Sequence, residues 1–326
     1  MPNWSEILDE VKRNGNPNAL DSVRRKYLSR VSEITGRNTI AYYSGFLQKS
    51  GVEQVSINDT DKNGLMATIH GMEREKGLDL ILHTPGGDIA ATESIVDYLK
   101  QMFGQNIRAI VPQLAMSAGT MLACSCRSIV MGKESSLGPI DPQFRGVSAY
   151  GIVEEFGRAK SEISQSQNNI PIWQPILRQY RPTFIGECEK AIDWSKDMVT
   201  QWLASNMLCK EACPCSSAKE IVDYLSSHQD RKTHSRHIGV DECERIGLKI
   251  QRLEDAYKES DFQDAVLSVH HAYMLTFSSS PAVKIVENQS GVAMISNVQF
   301  GVTQKVPSGL ITETKNPNKG ALTVAR

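Results

Sequence analysis

The hydrophobic pattern of this chain changes character along its length, and each change predicts a different kind of element. In the first 34 residues, apolar side chains recur at helical spacing: Ile7, Leu8 and Val11, then Val23, Tyr27 and Val31, with charged residues between them. The run NGNPN (14–18) divides this region into two helices. Residues 39–43 (TIAYY) are β-branched and aromatic and predict a short strand. Residues 63–75 predict a helix with Leu65, Met66, Ile69 and Met72 facing inward.

The spacing then becomes an alternation of short apolar runs and helical segments. Residues 78–83 (LDLILH) form a continuous apolar strand that ends in Thr84-Pro85-Gly86-Gly87. Residues 90–102 predict a helix with Ala91, Ile95, Val96 and Leu99 on one side. Residues 107–112 predict the next strand, 117–126 a helix of small residues, and 128–131 a third strand. Strands apolar on both faces and separated by helices imply a parallel sheet with helices on each side, hence an α/β fold. Beyond Pro139-Ile140-Asp141-Pro142 the pattern is mostly helical: 152–165, 187–208, 218–226, a short helix within 237–247, and 261–277. The Ser-, Asn- and Gly-rich tail after Ser278 fits a small β appendage or a mobile tail equally well. The expected organisation is an N-terminal helical segment (1–35), a central catalytic domain (36–255) and a C-terminal helix with an extension (256–326).

Composition narrows the function classes. Apolar residues make up 40% and charged residues 22%, ordinary for a globular protein. A net charge of -1 and 6% aromatic residues give no reason to expect a nucleic-acid partner. The N-terminus lacks the basic and apolar regions of a secretion signal. A long uncharged stretch, between Arg108 and Arg127, contains Pro112, Gln113 and Ser117, so it predicts a strand and a helix and not a membrane span. A cytoplasmic location is the expectation, and the seven cysteines are then expected as reduced thiols. Cys209, Cys213 and Cys215, with His228, His234 and His237 downstream, suggest a metal cluster, but the spacing matches no standard zinc pattern. No metal or other cofactor is expected.

Two turns carry the chemistry. Gly86 and Gly87 close an apolar strand, where glycine lets the backbone approach a ligand and turn its N–H groups outward. Read alone, the turn is also an ordinary strand-to-helix connection. About 30 residues later, Ala115-Met116-Ser117-Ala118-Gly119-Thr120 joins a strand to a helix. Ser117 there is either a helix N-cap or a nucleophile held at a helix start, with the Ala118 N–H beside it as an oxyanion donor.

Taken together, DLILHTPGGDI (79–89), AMSAGTM (115–121) and SIVMGKESSLGPIDPQ (128–143) resemble the serine dehydrogenase proteinase family. These are ClpP-class serine peptidases of the ClpP/crotonase superfamily, to which signal peptide peptidase A also belongs. The segment 233–250 resembles the closing part of such folds. The resemblance covers about residues 30–255. It implies a ClpP/crotonase-like spiral of ββα units with a mostly parallel sheet and a helical C-terminal part. It also implies Ser117 as nucleophile, the Gly87 and Ala118 backbone as oxyanion hole with Gly86 beside it, a peptide or protein substrate, and a homo-oligomer. No lysine motif for pyridoxal phosphate supports the deaminating activity in the family's name.

The general base is the open position. Where ClpP places its catalytic histidine, within a segment resembling SSLGPIDPQ, this chain has Asp141. Asp141 lies between two prolines and reads either as a structural carboxylate or as a group that orients a base. Signal peptide peptidase A and its archaeal relatives use a Ser-Lys pair with the lysine on a later helix. The corresponding residue is Lys160, 43 residues after Ser117. It reads as the base, or as a surface lysine beside Glu154, Glu155 and Glu162. His83, before the glycines, reads as a base or substrate contact, or as a buried histidine under the turn. The leading expectation is a serine peptidase with a Ser117 acyl-enzyme. The alternatives are a catalytically silent ClpP-like scaffold that binds peptides, and an acyl-CoA enzyme of the crotonase type. The last is disfavoured because the second helix begins with Ser where crotonases carry Gly-Gly.

Overall fold

The structure, a computed structural model, describes residues 3–144, 146–226 and 236–298. The chain opens with α1 (Trp4–Asn14) and α2 (Ala19–Thr35). A capping box starts α1: the Asn3 side chain accepts from the Glu6 N–H at 3.0 Å, and the Glu6 carboxylate accepts from the Asn3 N–H at 3.1 Å. Next come β1 (Asn38–Ser44), α3 (Asp61–Ile69), β2 (Leu78–His83), α4 (Ile89–Phe103), β3 (Ile107–Val111), the short β4 (Leu114–Ala115), α5 (Ala118–Cys124), β5 (Ser128–Met131) and β6 (Ser136–Leu137). The strand pair β7 (Gln143–Phe144) and β8 (Val147–Ser148) leads into α6 (Ala149–Gln165), α7 (Ile170–Leu177), α8 (Phe184–Trp202) and α9 (Pro214–Ser226). The remainder is β9 (Ile238–Gly239), α10 (Val240–Arg245), β10 (Ile250–Arg252), α11 (Phe262–Ser279), β11 (Ala282–Asn288) and β12 (Ala293–Asn297).

The central sheet has seven strands in the order β10-β5-β3-β2-β1-β11-β12. The first five run parallel; β11 pairs antiparallel with β1, and β12 antiparallel with β11. This is the predicted α/β fold with a mostly parallel sheet. The continuous apolar runs arise because both faces are covered. On one face Ile40, Leu80, Ala109 and Ile129 pack with α4 and α5. On the other, Ala41, Ile81, Ile110 and Val130 pack with α2 and α11. A second, three-stranded sheet (β4-β6-β9) stands at the end of the first and carries the strand that enters α5.

Three differences from the sequence pattern have local causes. The helix expected over 63–75 stops at Ile69, because Gly71 turns the chain at φ +78 and the Asn38 amide takes the Glu73 and Gly77 carbonyls at 2.7 and 2.9 Å. Met66, expected inside, is 51% exposed, while Leu65 and Ile69 share the buried face. The long helix expected over 187–208 instead ends at Trp202 and continues as a π-turn in which the Leu208 N–H reaches the Leu203 carbonyl at 2.8 Å.

As far as Val298, the tail forms a hairpin that joins the main sheet, with Tyr42 opposite Val286 and Ser44 opposite Lys284. A buried ion pair ties it to α2. Glu287 accepts from Arg24 Nε at 3.0 Å, Arg25 Nε at 2.8 Å and the Tyr273 hydroxyl at 2.9 Å. Both Arg24 and Glu287 are fully buried, so burial and Glu287 act against each other on the Arg24 guanidinium, and its pKa ends above the ordinary value. Glu287→Gln keeps the shape but removes the counter-charge. It is expected to lower the unfolding free energy by about 3 kcal/mol, measured by urea denaturation. A loss below about 0.5 kcal/mol would show that the hairpin is not anchored there.

Candidate active site

The two turns singled out in the sequence meet at the C-terminal edge of β2. The Thr84 N–H donates to the Leu114 carbonyl at 3.1 Å and the Met116 N–H to the Thr84 carbonyl at 3.0 Å, so β4 runs beside the end of β2. This pairing lays the Gly86–Gly87 turn against the start of α5. Gly86 has φ +93, and a Cβ there would lie 2.6 Å from the Met116 carbonyl oxygen, 2.7 Å from Ser117 Cβ and 2.8 Å from Ala118 N. Only glycine allows that approach.

Ser117 stands at the capping position of α5, but its hydroxyl does not cap the helix. Its backbone is at φ 51 and ψ -118. That is the geometry of the first central position of a type II′ turn, where glycine is the usual residue. The Gly119 N–H closes the turn on the Met116 carbonyl at 2.8 Å. A side chain held at positive φ costs of order 1–3 kcal/mol, and such strain clusters where a site needs it. Among the described residues, no hydrogen bond engages the half-buried Ser117 hydroxyl.

Two N–H groups flank it. The Gly86 carbonyl accepts from the Ile57 N–H at 2.8 Å, and the Asp88 N–H donates to the Ile57 carbonyl at 2.9 Å. Backbone alternation then turns the Gly87 N–H away from Ile57. Among the described residues, neither this N–H nor that of Ala118 donates a hydrogen bond. The buried Thr120 hydroxyl secures the elbow from below, bonding the Ala115 carbonyl at 2.8 Å and accepting from the Gly138 N–H at 2.9 Å. Thr120 belongs to the sequence motif, but its bridging role appears only once Gly138 is brought beside it. The local arrangement is a serine hydroxyl and two nearby backbone donors that make no hydrogen bond among the described residues, which suits attack on a carbonyl and stabilisation of the oxyanion formed.

The other predicted residues lie elsewhere. His83 is fully buried and shares the sheet face of Ile81, under α11, whereas α5 packs on the Leu82 face. Its ring lies among Tyr43, Phe46 and His270, and neither nitrogen has a hydrogen-bond partner among the described residues. Burial, followed by the neighbouring His270, holds its pKa well below the ordinary value. Burial likewise pushes His270 down to about 3. Lys160 is exposed on α6. Asp141 is buried between its prolines, in a turn held by the Ile140 N–H on the Leu225 carbonyl at 3.2 Å and the Ala149 N–H on the Pro142 carbonyl at 2.9 Å. Cys209, Cys213 and Cys215 are exposed free thiols, while His228 and His234 lie outside the described residues. Among the described residues, no group of three or more His, Cys, Asp or Glu side chains is arranged to hold a metal ion, and no helix is long and apolar enough to cross a membrane.

A mostly parallel sheet with a glycine turn and a serine elbow at one strand edge defines a ClpP-like α/β protein. Residues 16–284 match the family described as ClpP-like SDH-type serine proteinase. The chain belongs to that family, whose description is that of a serine proteinase. Two uncharacterized proteins of Methanocaldococcus jannaschii are 29% and 26% identical to it over 196 residues. Each match covers 60% of this chain, and 60% and 59% respectively of the relatives' own lengths. Among solved structures, a membrane-bound stomatin-specific protease aligns at 15% identity over 63% of this chain and 78% of its own, with a TM-score of 0.35. A likeness of that size carries no argument.

Two outcomes follow from the geometry. Gly86→Ala forces a Cβ against the Met116 carbonyl and the Ala118 N–H, and is expected to lower any Ser117-dependent activity by about 100-fold with the fold retained, measured by initial rates and circular dichroism. His83 and His270 stay neutral in the fold, whereas unfolded histidine takes up a proton below pH 6.5. Each should therefore remove about 1.4 kcal/mol of stability per pH unit as the pH falls below that value. His83→Leu should flatten the slope between pH 6 and 4 by that amount in denaturant titrations, about 1.4 kcal/mol per pH unit. An unchanged slope would contradict the burial argument.

Proposed function

We propose that this protein hydrolyses peptide bonds through a Ser117 acyl-enzyme, with the Gly87 and Ala118 N–H groups as the oxyanion hole. One observation carries the reading: Ser117 is held at positive φ, and among the described residues neither its hydroxyl nor the two nearby backbone donors make a hydrogen bond. A helix-capping serine would have extended backbone geometry and would bond the N–H groups of the first turn. In this reading, the serine attacks the scissile carbonyl and the oxygen that gains charge moves between the two amides. The leaving amine departs with a proton, and water then releases the acyl group. Gly87 is exposed, so the edge is open to an extended chain, in keeping with a peptide or protein substrate.

Lys160 takes the base role. His83 faces the other side of the sheet, which argues against it. A lysine accepts a proton only where burial favours its neutral amine. Since Lys160 is exposed in the single chain, the reading requires substrate or a second copy of the chain to cover it. A homo-oligomer is in keeping with the exposed apolar side chains Ile170, Ile172 and Trp194 on α7 and α8. The exposed lysine also favours a second reading, a silent scaffold that keeps the fold for peptide binding.

Labelling with a fluorophosphonate, read by intact mass, separates the two. The peptidase reading expects one adduct on the wild type and none on Ser117→Ala. It also expects Lys160→Ala to slow labelling by about 100-fold or more while His83→Leu spares it. A folded wild type that takes no adduct would leave the scaffold reading.

A further inference from the structure

The Gly86–Gly87 turn does not stand alone. It rests on the segment Ser56–Asn58, and Ile57 is the residue it touches. A Cβ on Gly87 would lie 2.3 Å from Ile57 N and 2.4 Å from Ile57 O, so the two backbones are in direct contact. What holds Ile57 is a buried ionic group outside both motifs. Lys284 Nζ donates to Asp61 Oδ1 at 2.8 Å, to Asp61 Oδ2 at 2.9 Å and to the Ser56 carbonyl at 2.6 Å. Asp61 Oδ2 also accepts from the Asn58 N–H at 2.9 Å and the Tyr42 hydroxyl at 2.6 Å. Lys284 and Asp61 are each 1% exposed. The Ser44 hydroxyl adds a bond to the Val55 carbonyl at 2.7 Å.

We infer that Lys284 and Asp61 are positioning residues for the oxyanion turn, acting through Ser56, Ile57 and Asn58; the effect on rate rests on the peptidase reading above, the effect on the turn does not. A buried ion pair stabilises a fold poorly compared with apolar side chains of the same volume. This pair does what apolar side chains cannot. The ammonium satisfies the carbonyl before Ile57, and the carboxylate satisfies the N–H after it. Both main-chain groups bracketing Ile57 are therefore anchored to strands β1 and β11 of the central sheet. Ile57 in turn fixes the Gly86 carbonyl and the Asp88 N–H, which sets the direction of the Gly87 N–H between them. Strand β11 lies more than 160 residues beyond Ser117 in sequence, so the C-terminal hairpin becomes part of the site's support.

The test compares the wild type with Lys284→Met/Asp61→Leu, which replaces the pair by apolar groups, and with Val286→Ala, a destabilising control on the same strand. Hydrogen exchange by mass spectrometry is read at the Ile57 and Asp88 amides, and fluorophosphonate labelling is split into affinity and maximal rate. The expected result is exchange faster by about tenfold or more at both amides, with β3 and β5 unchanged. The maximal labelling rate should fall by about tenfold or more at an affinity within about twofold, and the control should show neither change. If the double variant does not fold, Tyr42→Phe removes one bond to Asp61 and should give the same pattern at about threefold. Unchanged exchange at both amides, or an equal effect in the control, would overturn the inference. A wild type that takes no label would refute the peptidase reading alone, and the exchange data would still decide the positioning role.

Discussion

The close approach of two backbones governs this site. The Gly86–Gly87 turn lies against the Ser117–Ala118 elbow at a distance no side chain would permit, and against Ile57 on its other side. With the turn between them, the N–H of Gly87 has no partner among the described residues while its neighbours are bonded. A polar group without a partner is normally a cost to the fold. Here the exposed edge lets water satisfy it or, in the proposed reading, a developing oxyanion. Catalytic stabilisation of this kind relies on dipoles already fixed before the reaction, so the stiffness of the turn matters as much as its direction.

Stiffness comes from three separate sources. The Thr84–Ala115 bridge joins the turn to the elbow. Thr120 joins the elbow to Gly138 and hence to the loop carrying Asp141. The Lys284–Asp61–Tyr42 group joins the turn's other flank to the C-terminal strand. Each source uses a hydrogen bond whose partners are buried, where competition from water is weak. The strained φ of Ser117 persists because its surroundings leave it no alternative.

The histidines show the opposite design. His83 and His270 sit among aromatic rings below the sheet, with His83 making no polar contact among the described residues. Burial keeps both neutral, and they act as core side chains. In the proposed reading the serine therefore acts without either histidine, and its proton passes to Lys160 once substrate or a second copy covers it.

Local pattern sufficed for the central units: each strand–turn–helix segment from Leu78 to Met131 has its own periodicity and its own turn residues. The glycine turn and the serine elbow were legible for the same reason, since their chemistry lies in contiguous residues. Three features needed the folded chain. The face His83 occupies was hidden because β2 is apolar on both sides, so alternation gave no contrast. The tail after Ser278 joins the sheet through pairing with β1, more than 230 residues earlier, and pairing at such separation leaves no periodic trace. Lys284 and Asp61 each read as ordinary charged residues until that pairing buries them together. The make-up of the turns is thus written in contiguous residues, whereas what holds them in place arises only on folding, because that support consists of contacts between residues far apart in the chain.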